Sequence, residues 1–346
     1  MNVRHVRLRR YRSYAALDLE LEPGIVLIVG PNGAGKTNLL ESLHVATQGF
    51  SPRTRSDGQL IQFGEAAARV VVEGTRGSSA LELSVTLHEG QAKEATLNGA
   101  RLASAESLRR EVSTLVFTPD RLAVVKGGPA ARRAYFDRVL GRLAPARAGV
   151  PQDYLATLAQ RNAALRRVQL GLSSLAALEP WTARIAELAA ALVAERRTAL
   201  EALRPAFAER AGELGLPDAR LGYDASAPTV AELEVRLARD VERGSTGLGP
   251  HLDEVTIASG DRDLRQFGSQ GEQRLAVLSL LLAEASLLPA SLLLLDDVLS
   301  ELDPGRRRVL AERVAGMGQT VITATHASSL PLEPAQLVEV EHGSAR

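Results

Sequence analysis

Gly30-Pro31-Asn32-Gly33-Ala34-Gly35-Lys36-Thr37 has the spacing G-x-x-x-x-G-K-[ST]. Its flanks suit a phosphate-binding loop. Ile25 to Val29 is a short apolar run that reads as a buried parallel strand, and Thr37 to Gln48 reads as a helix. Glycines let the chain wrap so that successive N–H groups turn toward phosphate oxygens, and the helix N-terminus adds partial positive charge. Gly30, Asn32, Gly33, Ala34 and Gly35 would form the cradle, Lys36 would reach the β- and γ-phosphates of ATP, and the Thr37 hydroxyl would ligate Mg2+. Only Lys36, Lys93 and Lys126 are lysines among 41 basic residues, so a chance match is rare. A compact ammonium fits inside such a loop and a guanidinium fork does not.

The composition sets the frame around this loop. At 346 residues the chain has room for two or three domains. The formal net charge is zero, so any basic patch that meets nucleic acid must be local. Cysteine is absent, which excludes disulfides and thiolate metal sites. Met1 to Arg12 is polar and basic with no apolar segment after it, unlike a signal peptide. The most apolar run, Leu275 to Leu288, carries Glu284 and is too short to span a bilayer. A soluble cytoplasmic protein without membrane attachment is expected.

Before the loop, Val3 to Tyr11 reads as a strand with Val6 and Leu8 on one face and Arg7 and Arg9 on the other. Leu17, Leu19 and Leu21 alternate in a second strand. After it, Phe50 to Gly64 is polar and irregular. Arg69 to Gly74 and Leu81 to Leu87 read as strands, the latter with the strict period 2 of a half-exposed antiparallel sheet. Val112 to Phe117 is another apolar strand. From Pro129 to Asp240 the chain is rich in Ala, Leu, Arg and Glu at helical spacing. Pro145, Pro151, Pro180 and Pro205 punctuate it into three or four helices, without the sustained heptads of a coiled coil. Gly244 to Gly249 marks a return, followed by a strand at Glu254 to Ala258. Ser269 to Gln273 opens a long apolar helix. Leu292 to Leu295 and Thr320 to Ala324 are buried strands around a helix at Pro304 to Ala315, and Leu337 to Val340 is placed to close the sheet.

Leu292 to Leu295 runs into Asp296 and Asp297. A doubly buried strand delivers such carboxylates at the carboxyl edge of a sheet, beside a phosphate loop. Asp296 would hold the Mg2+ hydration shell, and Asp297 would polarise an attacking water. Ser269-Gln270-Gly271-Glu272-Gln273 offers a hydroxyl, free N–H groups and a helix dipole at a helix start. Alone it reads more often as an N-cap, and a lone histidine after a strand, such as His326, is usually a surface or capping residue.

The order of these motifs resembles the ABC-type ATPases: phosphate loop, helical insertion, signature, carboxylate strand, Ser-x-x-Asp loop at Ser300 to Asp303, then a switch histidine at His326. The resemblance implies an α/β fold: an ABC-type P-loop ATPase head with a mixed sheet and N-terminal antiparallel strands, plus an inserted mainly helical lobe. The implied domains are residues 1–120, the lobe 121–245, and 246–346. It also implies a dimer that sandwiches ATP. Each site would take Lys36 and Asp297 from one chain and Ser269, Gly271 and Gln273 from the other, with Asp303 at the junction and His326 sensing the γ-phosphate. Leu8 to Tyr14 is similar to the start of the RecF and SMC group, where an Arg-Ser pair approaches the nucleotide, so Arg12 and Ser13 take that expectation, as does Asn38 after the loop.

Phe117 to Arg121, Gly127 to Pro129 with Arg132, Arg133, Phe136 and Asp137, Gly249 to Asp253, Phe267 to Arg274 and Leu294 to Asp303 resemble the RecF family over nearly the whole chain. That resemblance implies a recombination-mediator ATPase that binds DNA and works with RecR and RecO to load RecA where duplex meets single strand. Two positions depart from the ABC pattern. Asp297 stands where those enzymes usually carry Glu, which implies slow hydrolysis. No glutamine marks a Q-loop, and Thr118-Pro119-Asp120 occupies that place. DNA contacts would have to come from Arg53, Arg55, Arg132, Arg133, Arg161, Arg166 or Arg167, although arginines on such helices are as a rule solvated faces. With 12 aromatic residues no single-strand stacking platform is visible, so duplex or junction backbone is the expected target. A transport-type ABC subunit and an ATP-binding scaffold without turnover are the competing readings.

Overall fold

The computed structural model describes residues 1–288 and 291–346, and it divides into two compact units. The first holds Met1–Arg121, Glu213–Gly215 and Leu278–Arg346. Its elements, numbered along the chain, begin with β1 (Asn2–Tyr11), β2 (Tyr14–Glu20), β3 (Ile25–Val29) and α1 (Lys36–Gln48). They continue with β4 (Ala67–Arg76), β5 (Ser79–His88), β6 (Glu94–Leu97), β7 (Ala100–Arg101) and β8 (Thr114–Phe117). The second unit, Leu122–Gly212 with Leu216–Val277, holds α2 (Ala123–Lys126), α3 (Pro129–Leu143), α4 (Val150–Gln169) and nearly all of α5 (Glu179–Glu213). It also holds β9 (Ala219–Tyr223), α6 (Val230–Val235), α7 (Leu237–Arg243), β10 (Val255–Ser259), β11 (Arg262–Asp263) and α8 (Leu264–Phe267). Helix α9 (Gln270–Leu287) starts there and ends in the first unit, which then adds β12 (Leu292–Leu295), α10 (Pro304–Ala315), β13 (Thr320–Ala324), β14 (Gln336–Glu341) and β15 (Ser344–Ala345).

Two sheets build the first unit. One is antiparallel, in the order β2-β1-β4-β5-β6-β7. Its alternation is legible in β1, where Val6 and Leu8 are fully buried while Arg7 is partly exposed and Arg9 exposed. The other runs β15-β14-β3-β13-β12-β8, parallel from β14 through to β8. Its middle strands are apolar throughout because both faces are covered: Ile25–Val29 and Leu292–Leu295 are buried at every position. One core joins Val6 and Leu8 of β1, Val26 and Ile28 of β3, Leu39 and Leu43 of α1, Val116 of β8, and Leu292 and Leu294 of β12. Burying one such side chain is worth about 1.5–3 kcal/mol, so each layer of this core outweighs any single polar contact at the sheet edge.

The second unit has its own core, from Leu140, Tyr154, Leu158, Ile185, Leu188, Leu192 and Leu233. It is not wholly helical. β9 pairs antiparallel with β10 and so ties residues 246–277 to the helices. The division between units therefore falls elsewhere than the expected boundary at 245/246. Two further features depart from expectation. Short β6 and β7 extend the antiparallel sheet past Leu87. Pro205 does not end a helix; α5 runs through it to Glu213, anchored on either side by buried Leu203 and Phe207.

Buried arginines organise the second unit. Arg161, fully buried, donates from Nη1 to Asp240 Oδ2 at 2.9 Å and to Thr246 Oγ1 at 2.6 Å. Arg196 grips Asp137 with Nε and Nη2 at 2.7 and 2.9 Å and donates from Nη1 to the Pro250 carbonyl. Arg132, also buried, donates to Glu254 and to the Val125 and Gly127 carbonyls. Arg132 and Arg161 are thus structural and leave the set of DNA candidates, because a sealed guanidinium cannot meet a phosphate backbone. Among the described residues, no helix is long and apolar enough to cross a membrane.

Candidate nucleotide site

The loop between β3 and α1 is held from two sides. Gly30 has φ 151°, and a Cβ there would collide with the Val340 carbonyl of β14. Gly35 has φ 119°, and a Cβ there would lie 2.9 Å from Ser13 Oγ and 3.0 Å from Tyr14 Oη. Both positions need glycine, for backbone sign and for space. Tyr14 Oη donates to the Gly35 carbonyl at 3.1 Å, and Gly343 N–H donates to the Ala34 carbonyl at 3.1 Å. Asn32 and Gly33 at the tip are exposed, and Ala34 is buried. Helix α1 starts at Lys36 with no side-chain cap and no acidic residue in its first turn. Its N-terminal amides and dipole are left for an anion.

Lys36 Nζ donates to the Gly30 carbonyl at 2.7 Å and the Pro31 carbonyl at 3.0 Å, inside the loop. Burial lowers its pKa, opposed by the charges of Asp297 and Asp296. Thr37 Oγ1 donates to Asp296 Oδ1 at 2.9 Å, and Thr323 Oγ1, from β13, donates to the same oxygen at 2.8 Å. Asp296 is buried, and burial pushes its pKa above the usual carboxylate range against these two hydroxyls and the charge of Arg53. Asp297 is exposed and left-handed, with φ 49°, and its N–H donates to Thr323 Oγ1 at 2.9 Å. A non-glycine residue held there stores strain of about 1–3 kcal/mol, a common mark of functional turns. Ser300 Oγ donates to the Asp297 carbonyl and fixes the turn that follows.

The remaining expected residues divide. Ser13 Oγ accepts from Asn38 Nδ2 at 3.0 Å, beside the loop. Arg12 is engaged with Glu41 of α1: Nε and Nη2 each donate at 2.9 Å to a carboxylate that is fully buried. Ser51 donates to Glu41 as well, and Arg53 lies 3.6 Å from it while donating to Asn38 Oδ1 at 3.3 Å. Arg53 thus belongs to the loop's surroundings. His326 follows β13, is exposed, and lines a cleft of about 490 Å3 with Gly30, Pro31, Asn32 and Glu339. Asp303 caps α10, accepting from Arg306 N–H at 3.0 Å. Ser269 and Gly271 are exposed at the start of α9, where Ser269 and Glu272 form a reciprocal capping box. Gln273 differs from expectation. Its side chain is buried and donates to the Leu264 carbonyl at 2.9 Å, bracing the turn before α9.

Thr323, Glu41 and Tyr14 went unnoticed in the sequence. Thr323 carried a signal, a hydroxyl at the carboxyl end of a mainly apolar strand, whereas Glu41 lies in a helix that also holds Asn38, Ser42, His44 and Gln48 and carried none. Among the described residues, no three histidine or carboxylate side chains converge as a ready-made metal cage. A hydroxyl plus one carboxylate is instead the donor set that suits a hard cation shared with a nucleotide's phosphates.

A DNA replication and repair protein RecF from Heliobacterium modesticaldum is 35% identical over 345 residues, covering 94% of this chain and 93% of the relative. Residues 2–344 match the RecF/RecN/SMC N terminal domain family. The chain belongs to the RecF family. Among solved structures, the recombination mediator protein RecF with ATP, of the RecFOR pathway, is similar at a TM-score of 0.88 and 26% identity, covering 99% of this chain and 96% of that one. The Smc head domain derived from Pyrococcus furiosus aligns at a TM-score of 0.63 and 17% identity, which extends the likeness of fold. The RecF fold is an ABC-type head of mixed and antiparallel sheets with a helical region, as the motif order implied.

Proposed function

We propose that this RecF-family chain is an ATP-binding recombination mediator that hydrolyses ATP slowly and dimerises on ATP. The convergence of Thr37 and Thr323 on Asp296, with Lys36 in the loop alongside, carries the reading. Lys36 would leave the Gly30 and Pro31 carbonyls for the β- and γ-phosphates. Thr37 and Asp296 would hold Mg2+, which when bound offsets phosphate charge. Asp297 would orient the attacking water and accept its proton; being a methylene shorter than Glu, it favours slow turnover. Ser269 and Gly271 would close the site of a second chain, and Asp303 and His326 would flank it. RecR, RecO and RecA would be partners at duplex–single-strand junctions in the cytoplasm, in keeping with the pathway named for the solved relative. DNA contact would fall to exposed arginines such as Arg55, Arg166 and Arg167.

Light scattering with and without ATP–Mg2+ tests the reading. The wild type should double in mass and bind gapped duplex more tightly, with a log–log salt slope near about −0.9 per neutralised phosphate. Lys36→Met and Ser269→Arg should each lose turnover. Asp297→Asn should keep ATP binding while turnover drops by about 100-fold or more. A monomer in saturating ATP, or unchanged turnover in Asp297→Asn, would overturn it.

A further inference from the structure

Glu41 of α1 is fully buried, and two other segments converge on its carboxylate. Arg12, in the turn between β1 and β2, donates to it from Nε and Nη2 at 2.9 Å each. Ser51 Oγ, in the stretch after α1, donates to it as well, and Arg53 Nη1 lies 3.6 Å from it. Asn38, in the first turn of α1, links the same pieces a second time. Its Nδ2 donates to Ser13 Oγ at 3.0 Å, and its Oδ1 accepts from Arg53 Nη1 at 3.3 Å. The contacts close a circuit, from Glu41 through Arg12, Ser13, Asn38 and Arg53 and back, beside the uncapped N-terminus of α1. Arg12 sits in it with a left-handed backbone, φ 53°, which a non-glycine residue keeps only where its surroundings fix it. Among the described residues, no other carboxylate lies within 4 Å of either guanidinium, so two positive charges share one negative charge. Nη1 of Arg12 makes no hydrogen bond among the described residues. Oriented guanidiniums with surplus positive charge suit an anion.

We propose that Glu41 is a positioning residue for nucleotide binding: it holds Arg12 and Arg53 in place so that their unspent guanidinium edges serve the phosphates. This rests on the nucleotide site proposed above. An arginine left to itself must give up rotamer freedom each time it grips a phosphate. The two-pronged contact of Arg12 with a buried carboxylate fixes the guanidinium plane before the ligand arrives. Glu41 is itself an anion near the start of α1, so charge and position act in opposite directions. By charge alone, removing Glu41 would tighten the binding of a polyphosphate. A loss of binding on its removal therefore reports the placement of the arginines.

The test is a double-mutant cycle on the full-length chain: wild type, Glu41→Gln, the arginine-free pair Arg12→Gln with Arg53→Gln, and all three substitutions together. Affinity for a fluorescent ATP analogue is measured at saturating Mg2+, below the melting temperature of each variant. Glu41→Gln and the arginine-free pair should each bind at least about 10-fold more weakly than wild type. In the arginine-free background, Glu41→Gln should leave affinity unchanged or tighten it, because only the charge effect remains there. Glu41→Asp keeps the charge but is a methylene shorter, so it should weaken binding too, and it takes the place of Glu41→Gln in the cycle if that variant does not fold. A Glu41→Gln protein that melts lower yet binds as wild type would make Glu41 purely structural and overturn the proposal. The same loss in both backgrounds would show that Glu41 does not act through the arginines, and an arginine-free pair that binds as wild type would show that they do not serve the phosphates; either result overturns it. If wild type itself binds no nucleotide, the proposed function fails instead.

Discussion

At the scale of single residues, the site sets stability against function. Asp296 is buried with its pKa raised, chiefly by loss of water. A carboxyl whose folded-state pKa lies above its unfolded value stabilises the fold below the unfolded value, and that contribution is lost as pH rises through the folded pKa. In the ligand-free protein, ionising Asp296 therefore costs stability, and the cost grows as pH rises. Asp296→Asn keeps an oxygen for Thr37 and Thr323 to donate to, and removes the charge. The ligand-free melting temperature of Asp296→Asn should exceed that of wild type at pH about 7, and the gain should shrink as pH falls toward about 4. The same variant should lose the Mg2+ enhancement of nucleotide binding. A variant that melts lower at neutral pH would show that Arg53 and the hydroxyls more than offset desolvation. The nearby Glu41 makes the opposite compromise: it is fully buried yet held by both Arg12 and Ser51, so it gains partners for each oxygen.

At the scale of elements, what was legible followed from burial. Ile25–Val29, Leu292–Leu295 and Thr320–Ala324 were read with their observed bounds, because strands covered on both faces are written as mainly apolar runs ended by polar turns. The placement of the loop and Asp296, joined through Thr37, was legible because each follows an unbroken apolar strand. β9 was not: Ala219–Tyr223 carries Arg220 and Gly222 inside an Ala-, Leu- and Arg-rich stretch, and only pairing with β10, distant in sequence, makes it a strand. Pro205 was misread for a related reason. Local preference says that a helix stops there, but packing of Leu203 and Phe207 carries α5 through. Interior proline removes a hydrogen bond and crowds the carbonyl four residues earlier. Pro205 itself is exposed and adds little packing. Pro205→Ala should therefore stabilise the protein by about 1–3 kcal/mol in urea unfolding. A loss of stability would mean that Pro205 itself helps to seat Leu203 and Phe207 in their core.

At the scale of the whole molecule, the proposed function makes the site incomplete in one chain, and that has an arithmetic consequence. Lys36, Thr37, Asp296 and Asp297 lie in the first compact unit, whereas Ser269 and Gly271 lie in the second. If Ser269 closes the site of a partner, a two-fold dimer contains two identical composite sites. Lys36→Met damages the loop and leaves the signature whole; Ser269→Arg does the reverse. Each variant alone should be inactive, because every site in its homodimer carries one damaged half. Mixed in equal amounts with random pairing, half the dimers are hybrid. A hybrid has one site with both halves intact and one with both damaged. Turnover per chain should then recover to about a quarter of wild type at saturating ATP, measured by phosphate release. If Ser269 instead served the loop of its own chain, no pairing could assemble an intact site, and the mixture would stay as inactive as its parts. Recovery well above a quarter would require the intact site to work faster once its twin is disabled, which a titration of one variant into the other would expose as a curve that departs from the product of the two fractions.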